Sequence, residues 1–598
     1  MRRWADRLEG GVVATLLAAL AVLPLLEAAL RTLFGRGISG AQPLVQHLTL
    51  WVAFLGAAVA TRRGEMLALA TGSLLPAGAW RQGAKVFAHA TAVLVATLLA
   101  VAGYELVQNE RAYGHDTLPV LGLFDLPIWA AQLVLPIALA LIALRLAWRA
   151  GGWPARAVAL IALVAGLVWN QVPALAQGHP AWPWLVILVL AMAFGAPIFA
   201  VLGGAAIFLF LSDAVPIAAV PAETYRLSVS PTLPAIPLFT LAGFLLAEGR
   251  SSQRLLGLFR ALVGWLPGGT AVMTAGVCAF FTVFTGGSGV TILALGALLH
   301  TALMRDGYRD RFATGLITAS GSLGLLWPPA VPLILYGIVA QVPIKNLFRG
   351  GVVPGVVLLV MVAAWGVFEG RRSQAARTPF AWPALGQALW RAKWEVLLPV
   401  VVVGGIMSGT ATLVESSALA ALAAWLIVSV LHREVPLRRL PNVLDRCGAM
   451  VGGILIILGV AMGLTSYLVD AQVPMQLLAW VKVHVHSPLV FLAALNVFLL
   501  LVGCLMDIFS AIVVVVPLIA PLGLAFGIDP VHLGILFVAN LELGYLTPPV
   551  GLNLFLASYR FQRPLGEVYR AVLMPLGLLA IGVLLITYIP ALTTAFLP

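Results

Sequence analysis

Long apolar runs recur along the whole chain and constrain its fold more than any other feature. From Gly11 to Leu597, stretches of about 17 to 25 apolar residues follow one another, which is the length that an α-helix needs to cross a bilayer. Only 10% of the 598 residues are charged, against roughly 25% in soluble domains. The runs are continuously apolar, which excludes the alternating strands of an outer-membrane barrel. The sequence therefore predicts an all-α polytopic membrane protein.

The net charge of +12 indicates the orientation of the helices rather than a nucleic-acid partner. Lys and Arg lie in short clusters between the apolar runs, not along one face. One cluster (Arg2, Arg3, Arg7) precedes the first run and another (Arg145, Arg149, Arg156) follows the fourth. Because basic loops stay in the cytoplasm, we expect a multi-pass membrane protein with a cytoplasmic N-terminus. The basic segments 371–393 and 433–446 are predicted to be cytoplasmic as well.

The first 150 residues are predicted to form a four-helix membrane scaffold. The expected spans are 11–34, 44–61, 85–108 and 127–148, with an amphipathic, interfacial segment at 62–81. A further apolar run at 157–174 makes residues 151–183 a linker with one transmembrane helix. Residues 184–598 are then predicted to carry the transport machinery.

Two matched interruptions divide residues 184–598 into two repeats, approximately 184–370 and 395–598. The first contains FTGGSGVTILALGALL and then GSLGLLWPPAVPLILYG, and the second contains GCLMDIFSAIVVVVPLIAPLG and then NLELGYLTPPVGLNLFLAS. In each, a serine at a tip (Ser288 or Ser510) stands about 40 residues before a Pro-Pro pair. Such a duplication predicts the inverted repeats and re-entrant hairpins of a secondary transporter.

The Pro-Pro pairs predict sites for both a cation and an anion. Proline ends one helix and starts the next, so the last carbonyls before the break lack partners and can bind a cation. These carbonyls belong to Leu325, Leu326, Trp327, Tyr545, Leu546 and Thr547. The half-helix after the break offers its positive dipole end to an anion. Oxygen atoms at the hairpin tips are the hard ligands that sodium prefers.

The candidate residues follow from this pattern. Candidate sodium ligands are Gly286, Gly287, Ser288, Gly324, Trp327, Asp507, Ser510, Gly544 and Thr547. Candidate substrate-binding residues are Ser288, Gly289, Pro328, Pro329, Ser510, Pro548 and Pro549. The coupling ion would be sodium, and no organic cofactor is expected. The alternative is that these glycines and prolines only kink helices for packing. The matched spacing of two such sites disfavours this alternative.

Three acidic residues of the second part leave alternatives open. An acid inside the membrane is costly enough to suggest a function. Asp507 is either an ion ligand or the cap of the following half-helix. Glu415 is either functional or at a cytoplasmic edge, and Glu542 is either functional or a hydrogen-bonded structural acid.

With these residues in view, the chain resembles the membrane component of a tripartite ATP-independent periplasmic (TRAP) transporter in which small and large membrane subunits are fused. LVQHLTLWVAFLGAAVATRRGE (44–65) resembles the small subunit. IPLFTLAGFLLAEG, GLLWPPAVPLILYG and GIDPVHLGILFVANLELGYLTPPVGLNLF resemble the large subunit. The chain departs from the family pattern in two places. The family pattern TPTEA appears here as TLVES, from Thr412 to Ser416. The second acidic residue that usually precedes the second small-subunit helix is absent near Gln46-His47.

The resemblance implies a fold, a function and partners. The fold would be a four-helix scaffold fused through a linker helix to an elevator-type transporter. The function would be sodium-coupled uptake of an organic acid, a C4-dicarboxylate or a related carboxylate. A separate periplasmic solute-binding protein would deliver the substrate, and one fused chain would serve each transporter. The chain would not be an enzyme.

Two other functions are compatible with parts of the sequence. An elevator-type anion transporter or exporter from another family would lack the four-helix unit and need no binding protein. An intramembrane serine protease would use Gly286-Gly287-Ser288-Gly289, which fits G-x-S-G. A protease has no reason to duplicate its site, and the second interruption has no such motif. A primary pump is disfavoured because the sequence contains no GxxxxGK[ST] phosphate loop.

Overall fold

The structure is a computed structural model that describes residues 2–68, 78–169, 180–548 and 550–597, with the backbone only for residues 2–7. Eleven of its described helices are long and apolar enough to cross a membrane, and seven shorter apolar helices accompany them. The described strands form one antiparallel hairpin of β1 (Thr117–Val120) and β2 (Phe124–Pro127), in which Thr117 pairs with Pro127. This architecture confirms the predicted all-α polytopic membrane protein.

As far as the described residues reach, the helices before residue 230 agree with the predicted spans, with two differences. Their bounds are α1 (Arg2–Phe34), α2 (Ala41–Arg63), α3 (Ala79–Tyr113), α4 (Ile128–Gln132), α5 (Val134–Arg149), α6 (Trp153–Trp169), α7 (Trp182–Ala193), α8 (Ile198–Ser212) and α9 (Ala219–Ser228). The fourth span is divided into α4 and α5, because Pro136 has no N–H to donate to the carbonyl of Gln132. Helix α3 begins inside the segment predicted to be interfacial, of which residues 69–77 lie outside the described residues. Residues 170–174 of the predicted linker helix lie outside the described residues as well.

The remaining helices include the two predicted interruptions, which glycine and proline residues mark. Their bounds are α10 (Ala235–Glu248), α11 (Ser251–Val263), α12 (Gly269–Thr285), α13 (Ser288–Arg305), α14 (Asp310–Ser320), α15 (Val331–Ala340), α16 (Ile344–Arg372), α17 (Trp382–Ser408), α18 (Leu413–Trp425), α19 (Leu440–Asp470), α20 (Val473–His484), α21 (Pro488–Leu505), α22 (Ile508–Ala525), α23 (Pro530–Gly544), α24 (Leu552–Phe561), α25 (Leu565–Tyr588) and α26 (Ala591–Thr594). A π-helical turn, Leu426–Leu431, continues α18.

The chain divides into two compact units. Unit 1 comprises Met1–Pro237 and Leu440–Pro474, and unit 2 comprises Leu238–Arg439 and Met475–Pro598. Unit 1 therefore contains α19 in addition to the N-terminal helices. The division into functional parts at residues 150 and 183 stays a prediction.

Helix α19 packs against α2 within unit 1 through glycines that bring the two backbones together. A Cβ atom at Gly452 would lie 2.2 Å from the backbone nitrogen of Ala57 and 2.3 Å from the carbonyl carbon of Gly56. Small residues allow helices in a membrane to approach this closely. An ion pair between Arg63 and Asp445 joins the ends of the same two helices.

We expect Gly452→Ala to lower the free energy of unfolding by about 1 to 3 kcal/mol, because the added methyl group meets backbone atoms that cannot move aside. Gly453→Ala is the matched control, since a Cβ atom at Gly453 would have none of the described residues within 4 Å. Thermal unfolding of the purified chain in detergent measures both. Equal melting temperatures for the two variants would show that the α2–α19 contact is looser than described.

Candidate functional site

The first predicted hairpin tip joins α12 to α13 through only two residues. Gly286 adopts a left-handed conformation (φ 65°), and its N–H donates to the carbonyl oxygen of Thr282 at 2.9 Å. A side chain at Gly286 would be strained, and its Cβ atom would also lie 2.8 Å from the side chain of Val331. Gly287 is extended, and α13 starts at Ser288. The glycine pair therefore turns the chain sharply, as the sequence predicts.

Three buried hydroxyl groups, those of Thr282, Ser288 and Thr291, lie on the two helices that this tip joins. The Thr282 hydroxyl lies 2.7 Å from both the carbonyl oxygen of Gly321 and the hydroxyl of Thr291. Ser288 is 2% exposed, and its hydroxyl has no hydrogen-bond partner among the described residues. Buried polar groups are normally paired, so an unpaired hydroxyl at a hairpin tip is a candidate ligand atom.

The first break follows α14, and turns carry the chain to α15. Gly324 fits tightly against α12, because a Cβ atom there would lie 2.2 Å from the carbonyl oxygen of Ala279. Of the three carbonyls predicted to lack partners, those of Leu325 and Leu326 accept no hydrogen bond from the described residues. The expectation is wrong for Trp327, whose carbonyl accepts from the N–H of Ala330 at 2.8 Å because the chain turns back after the proline pair.

The second tip is built around Asp507. One carboxylate oxygen accepts the N–H groups of Phe509 (3.0 Å) and Ser510 (3.1 Å), so Asp507 caps α22. The other oxygen accepts the Ser510 hydroxyl at 2.5 Å. Asp507 and Ser510 are both buried. The capping alternative for Asp507 is therefore present in the structure, and a direct role as an ion ligand stays a prediction.

The second break lies beside this tip. The hydroxyl of Tyr545 accepts the N–H of Ile508 at 2.6 Å, which ties the break to the tip. A Cβ atom at Gly551 would lie 2.8 Å from the carbonyl oxygen of Thr547 and 2.9 Å from that of Tyr545, so these two oxygens converge. Neither accepts a hydrogen bond from the described residues. The convergence places two available oxygen ligands at the predicted position.

Glycines and prolines of the break hold this geometry or border it. Gly544 packs against α21, where a Cβ atom would lie 2.5 Å from the Cα of Gly503. Pro328 is half-buried and Pro329 is buried, whereas Pro548 is exposed. Pro549 lies outside the described residues. A Cβ atom at Gly289, in the first turn of α13, would lie 2.6 Å from the side chain of Leu556.

The two repeats exchange partners within unit 2. Helix α13, which follows the first tip, packs against α24, which follows the second break. Helix α22, which follows the second tip, packs against α15, which follows the first break. Each hairpin therefore meets the half-helix of the other repeat, and both repeats contribute to each half of the candidate site.

Comparison with known families decides between the transporter and the protease that the sequence leaves open. Residues 185–592 match the family described as "Tripartite ATP-independent periplasmic transporter, DctM component". Residues 20–152 match "Tripartite ATP-independent periplasmic transporters, DctQ component". The chain belongs to the TRAP transporter family. Both membrane components occur in one chain, so it is a fused permease of the DctQM type.

Individual TRAP permeases are similar over most of their length. The chain is 32% identical over 500 residues to the isethionate TRAP transporter permease protein DctMQ of Oleidesulfovibrio alaskensis, with 82% of this chain and 78% of that protein covered. It is 34% identical over 400 residues to the C4-dicarboxylate TRAP transporter large permease protein DctM of Pseudomonas aeruginosa, with 66% of this chain and 92% of that protein covered.

Among solved structures, the YdaH transporter of Alcanivorax borkumensis is similar. It is 16% identical, with a TM-score of 0.42, and the match covers 59% of this chain and 84% of YdaH.

Membership in the TRAP family corrects one alternative. The chain is a multi-pass transport protein rather than an enzyme. The intramembrane serine protease is therefore the wrong interpretation of Gly286-Gly287-Ser288-Gly289. The motif makes a tight hairpin tip, and its glycines serve the turn.

Glu415 and Glu542, the two acidic residues named with Asp507 in the sequence analysis of this TRAP permease, have surroundings that differ from each other. Glu415 completes a capping box at the start of α18, in which its carboxylate accepts the N–H of Thr412 at 2.7 Å. Glu542 lies on α23 and is 2% exposed, yet neither carboxylate oxygen has a partner among the described residues. Of the two alternatives for Glu542, the hydrogen-bonded structural acid is therefore not what the described residues show, and a functional role stays a prediction.

Several site residues are missing from the sequence prediction. Asn553, in the first turn of α24, is fully buried and donates to the carbonyl oxygen of Thr318 at 3.2 Å, while its own side-chain oxygen has no described partner. Thr282 and Thr291 line the first tip. For Tyr545 the sequence predicts a role of the carbonyl but not that of the side-chain hydroxyl, which holds the second tip. A polar residue next to a Pro-Pro break, such as Asn553 or Tyr545, is a pattern that could have identified these positions.

Proposed function

We propose that this TRAP permease couples the inward flow of sodium to the uptake of a small organic acid across the bacterial inner membrane, with a cytoplasmic N-terminus. A periplasmic solute-binding protein delivers the substrate. The hairpin-bearing helices carry the bound solute across by an elevator mechanism. One fused chain provides both membrane components.

One observation carries the proposal: among the described residues, oxygen atoms without hydrogen-bond partners occur at the tip or the break of both repeats. The first repeat has the Ser288 hydroxyl and the carbonyls of Leu325 and Leu326. The second repeat has the carbonyls of Tyr545 and Thr547. Sodium is a hard ion that binds hydroxyl and carbonyl oxygens. Asp507 would supply the negative charge at the second site. The residues present therefore fit a sodium ion.

The substrate class is supported by the half-helices that start after the breaks. The first turns of α15 and α24 offer N–H groups and a positive dipole end to an anion. Relatives are named for C4-dicarboxylates, isethionate and ectoine. All of these solutes carry a carboxylate or a sulfonate group, which is the chemistry that such helix ends bind. A C4-dicarboxylate is our first candidate.

Uptake by the purified chain in liposomes tests the function. With an inward sodium gradient, radiolabelled succinate should accumulate only when a solute-binding protein that binds it is present outside. Replacing sodium with potassium should reduce the uptake to the level of empty liposomes, and ATP should have no effect. Isethionate and ectoine, each with a binding protein specific for it, extend the test to other solutes. Equal uptake in potassium would overturn sodium coupling.

The same assay distinguishes the proposed function from an anion transporter that works without a binding protein. Uptake that is equally fast without any binding protein would favour it. The match of residues 20–152 to the DctQ component argues against this outcome, because that component belongs to a three-part system.

A further inference from the structure

A cavity of about 600 Å³ lies in unit 2 between α11 and the beginning of α17, away from the hairpins. We call it the basic cavity after its charged lining residues, which are Arg250, Arg254, Arg260, Arg391 and Glu434. Small apolar residues, among them Ala261, Ala384 and Ala388, form much of the remaining wall. The cavity thus combines four cations, one anion and an apolar surface.

One of the four arginines is fully engaged in holding the cavity together. Arg254 pairs with Glu395 of α17 at 2.6 Å and with Glu434 of the loop after the π-helical turn. The backbone N–H of Arg250 also donates to Glu434 at 2.7 Å. Burial raises the pKa of the Glu434 carboxyl, but the hydrogen bonds from Arg254 and Arg250 lower it more, so its pKa lies below the ordinary value. Glu434 is therefore ionised at neutral pH, and together with Glu395 it more than neutralises the single charge of Arg254.

The other three arginines have no such neutralisation. The guanidinium groups of Arg250, Arg260 and Arg391 form no ion pair in the part of the chain that the structure describes. All three side chains belong to exposed residues and line the same cavity. Guanidinium groups bind phosphate oxygens through paired N–H donors, so three of them around one cavity suit a phosphate-bearing ligand.

Exposed tryptophans place the cavity at the depth of the lipid headgroups. Trp382 and Trp390 of α17 are 75% and 71% exposed, and Trp265, just after α11, is 50% exposed. The ammonium group of Lys393 lies 3.2 Å from the centre of the Trp390 ring. Tryptophan and basic residues together are typical of the membrane–water interface. The sequence predicts that segments 371–393 and 433–446 are cytoplasmic, so this interface would belong to the inner leaflet.

We infer that the basic cavity binds the headgroup of an anionic phospholipid from the cytoplasmic leaflet. Arg250, Arg260 and Arg391 hold the phosphate, and the alanine wall accommodates the glycerol and the first carbons of the acyl chains. Inorganic phosphate shares the recognised chemistry. The lipid is favoured because exposed tryptophans are the sequence neighbours of lining residues, Trp382 of Ala381 and Trp390 of Arg391. It is also favoured because the cytoplasmic leaflet concentrates anionic headgroups beside basic residues.

Native mass spectrometry of the delipidated full-length chain, titrated with phosphatidylglycerol or phosphatidylcholine, tests this inference. We expect phosphatidylglycerol to bind at least tenfold more tightly than phosphatidylcholine. Each of Arg260→Gln and Arg391→Gln should weaken phosphatidylglycerol about fivefold, and the double variant should show no preference between the lipids. Arg254 is left unchanged because it holds the fold.

Matched controls keep the result interpretable. Arg305→Gln with Arg570→Gln removes the same charge from exposed positions outside the cavity and should change lipid binding by less than twofold. A preference for phosphatidylglycerol that survives in the Arg260/Arg391 double variant, with an unchanged melting temperature, would overturn the site. If the double variant melts early, the two single variants decide. Displacement of the lipid by 10 mM inorganic phosphate would identify free phosphate as the ligand and also overturn the lipid assignment.

Discussion

Replacing Arg254 by Met is expected to lower the free energy of unfolding by about 3 to 5 kcal/mol. Glu395, its partner on α17, is 0% exposed, and the Ser251 hydroxyl would be its only remaining donor among the described residues, at 3.1 Å. Removing one partner of a buried ion pair leaves an uncompensated charge, which costs more than the pair contributes. Chemical denaturation of the purified chain in detergent measures the change.

A double variant separates this electrostatic effect from a loss of packing. Arg254→Met combined with Glu395→Leu removes the fully buried carboxylate along with its partner, while Glu434 keeps the backbone N–H of Arg250, so most of the lost stability should be recovered. If the double variant is as unstable as Arg254→Met, the destabilisation comes from packing.

Acid should also weaken the ion pairs of Arg254. Because the folded-state pKa of Glu434 is lowered, the contribution of Glu434 to stability is present above its unfolded-state pKa and is lost as the pH falls through its folded-state pKa.

Asp507→Asn is expected to raise the sodium concentration for half-maximal uptake about 5- to 150-fold, which corresponds to about 1 to 3 kcal/mol of lost ion binding. The amide oxygen of Asn can still cap α22, so the fold should persist while the charge is lost. Ser510→Ala and Thr547→Ala each remove a hydroxyl beside the same site and should raise the sodium requirement in the same direction. A sodium titration of uptake in liposomes measures all three variants.

Asp529 offers a matched control for Asp507. It also caps a helix, accepting the N–H groups of Val531 at 2.8 Å and His532 at 3.1 Å at the start of α23. Asp529→Asn therefore makes the same chemical change at a capping position that is not a hairpin tip. Its sodium requirement should change by less than twofold. If Asp507→Asn behaves like Asp529→Asn, Asp507 is only a cap and not an ion ligand.

The sequence predicts those parts of the fold that depend on local physics. The length of an apolar run determines whether a helix spans the membrane, so the amino-acid sequence alone is enough to place α1, α2 and α3. Gly286 and the Pro-Pro pairs act on their own backbone, so the first tip and both breaks are predictable too. Asp507 also acts locally, but its cap and a bound ion use the same atoms, so the sequence does not distinguish them.

Features that depend on distant partners are not predictable in this way. The break after Trp327 predicts a free carbonyl, but the path of the chain after the prolines returns the N–H of Ala330 to it. Among the described residues Glu542 has no hydrogen-bond partner of the kind that a structural acid needs, and no periodicity shows which groups surround a buried side chain. The position of Asn553 next to a break is visible in the sequence, but its partner Thr318 is more than 200 positions away along the chain, so no local pattern indicates their contact.

The exchange of partners between the repeats bears on how the protein is made. Helix α13 is synthesised roughly 250 residues before α24, against which it packs, and at about 5 to 20 residues per second the ribosome needs on the order of 10 to 50 s for that interval. During this time the contact face of α13 must be covered by lipid, by the insertion machinery or by another helix. Completion of the first hairpin therefore has to wait for the C-terminal part of the chain. A messenger truncated before codon 552 would yield a membrane-inserted product whose first hairpin never acquires its partner, which makes such a fragment a natural target for membrane proteases.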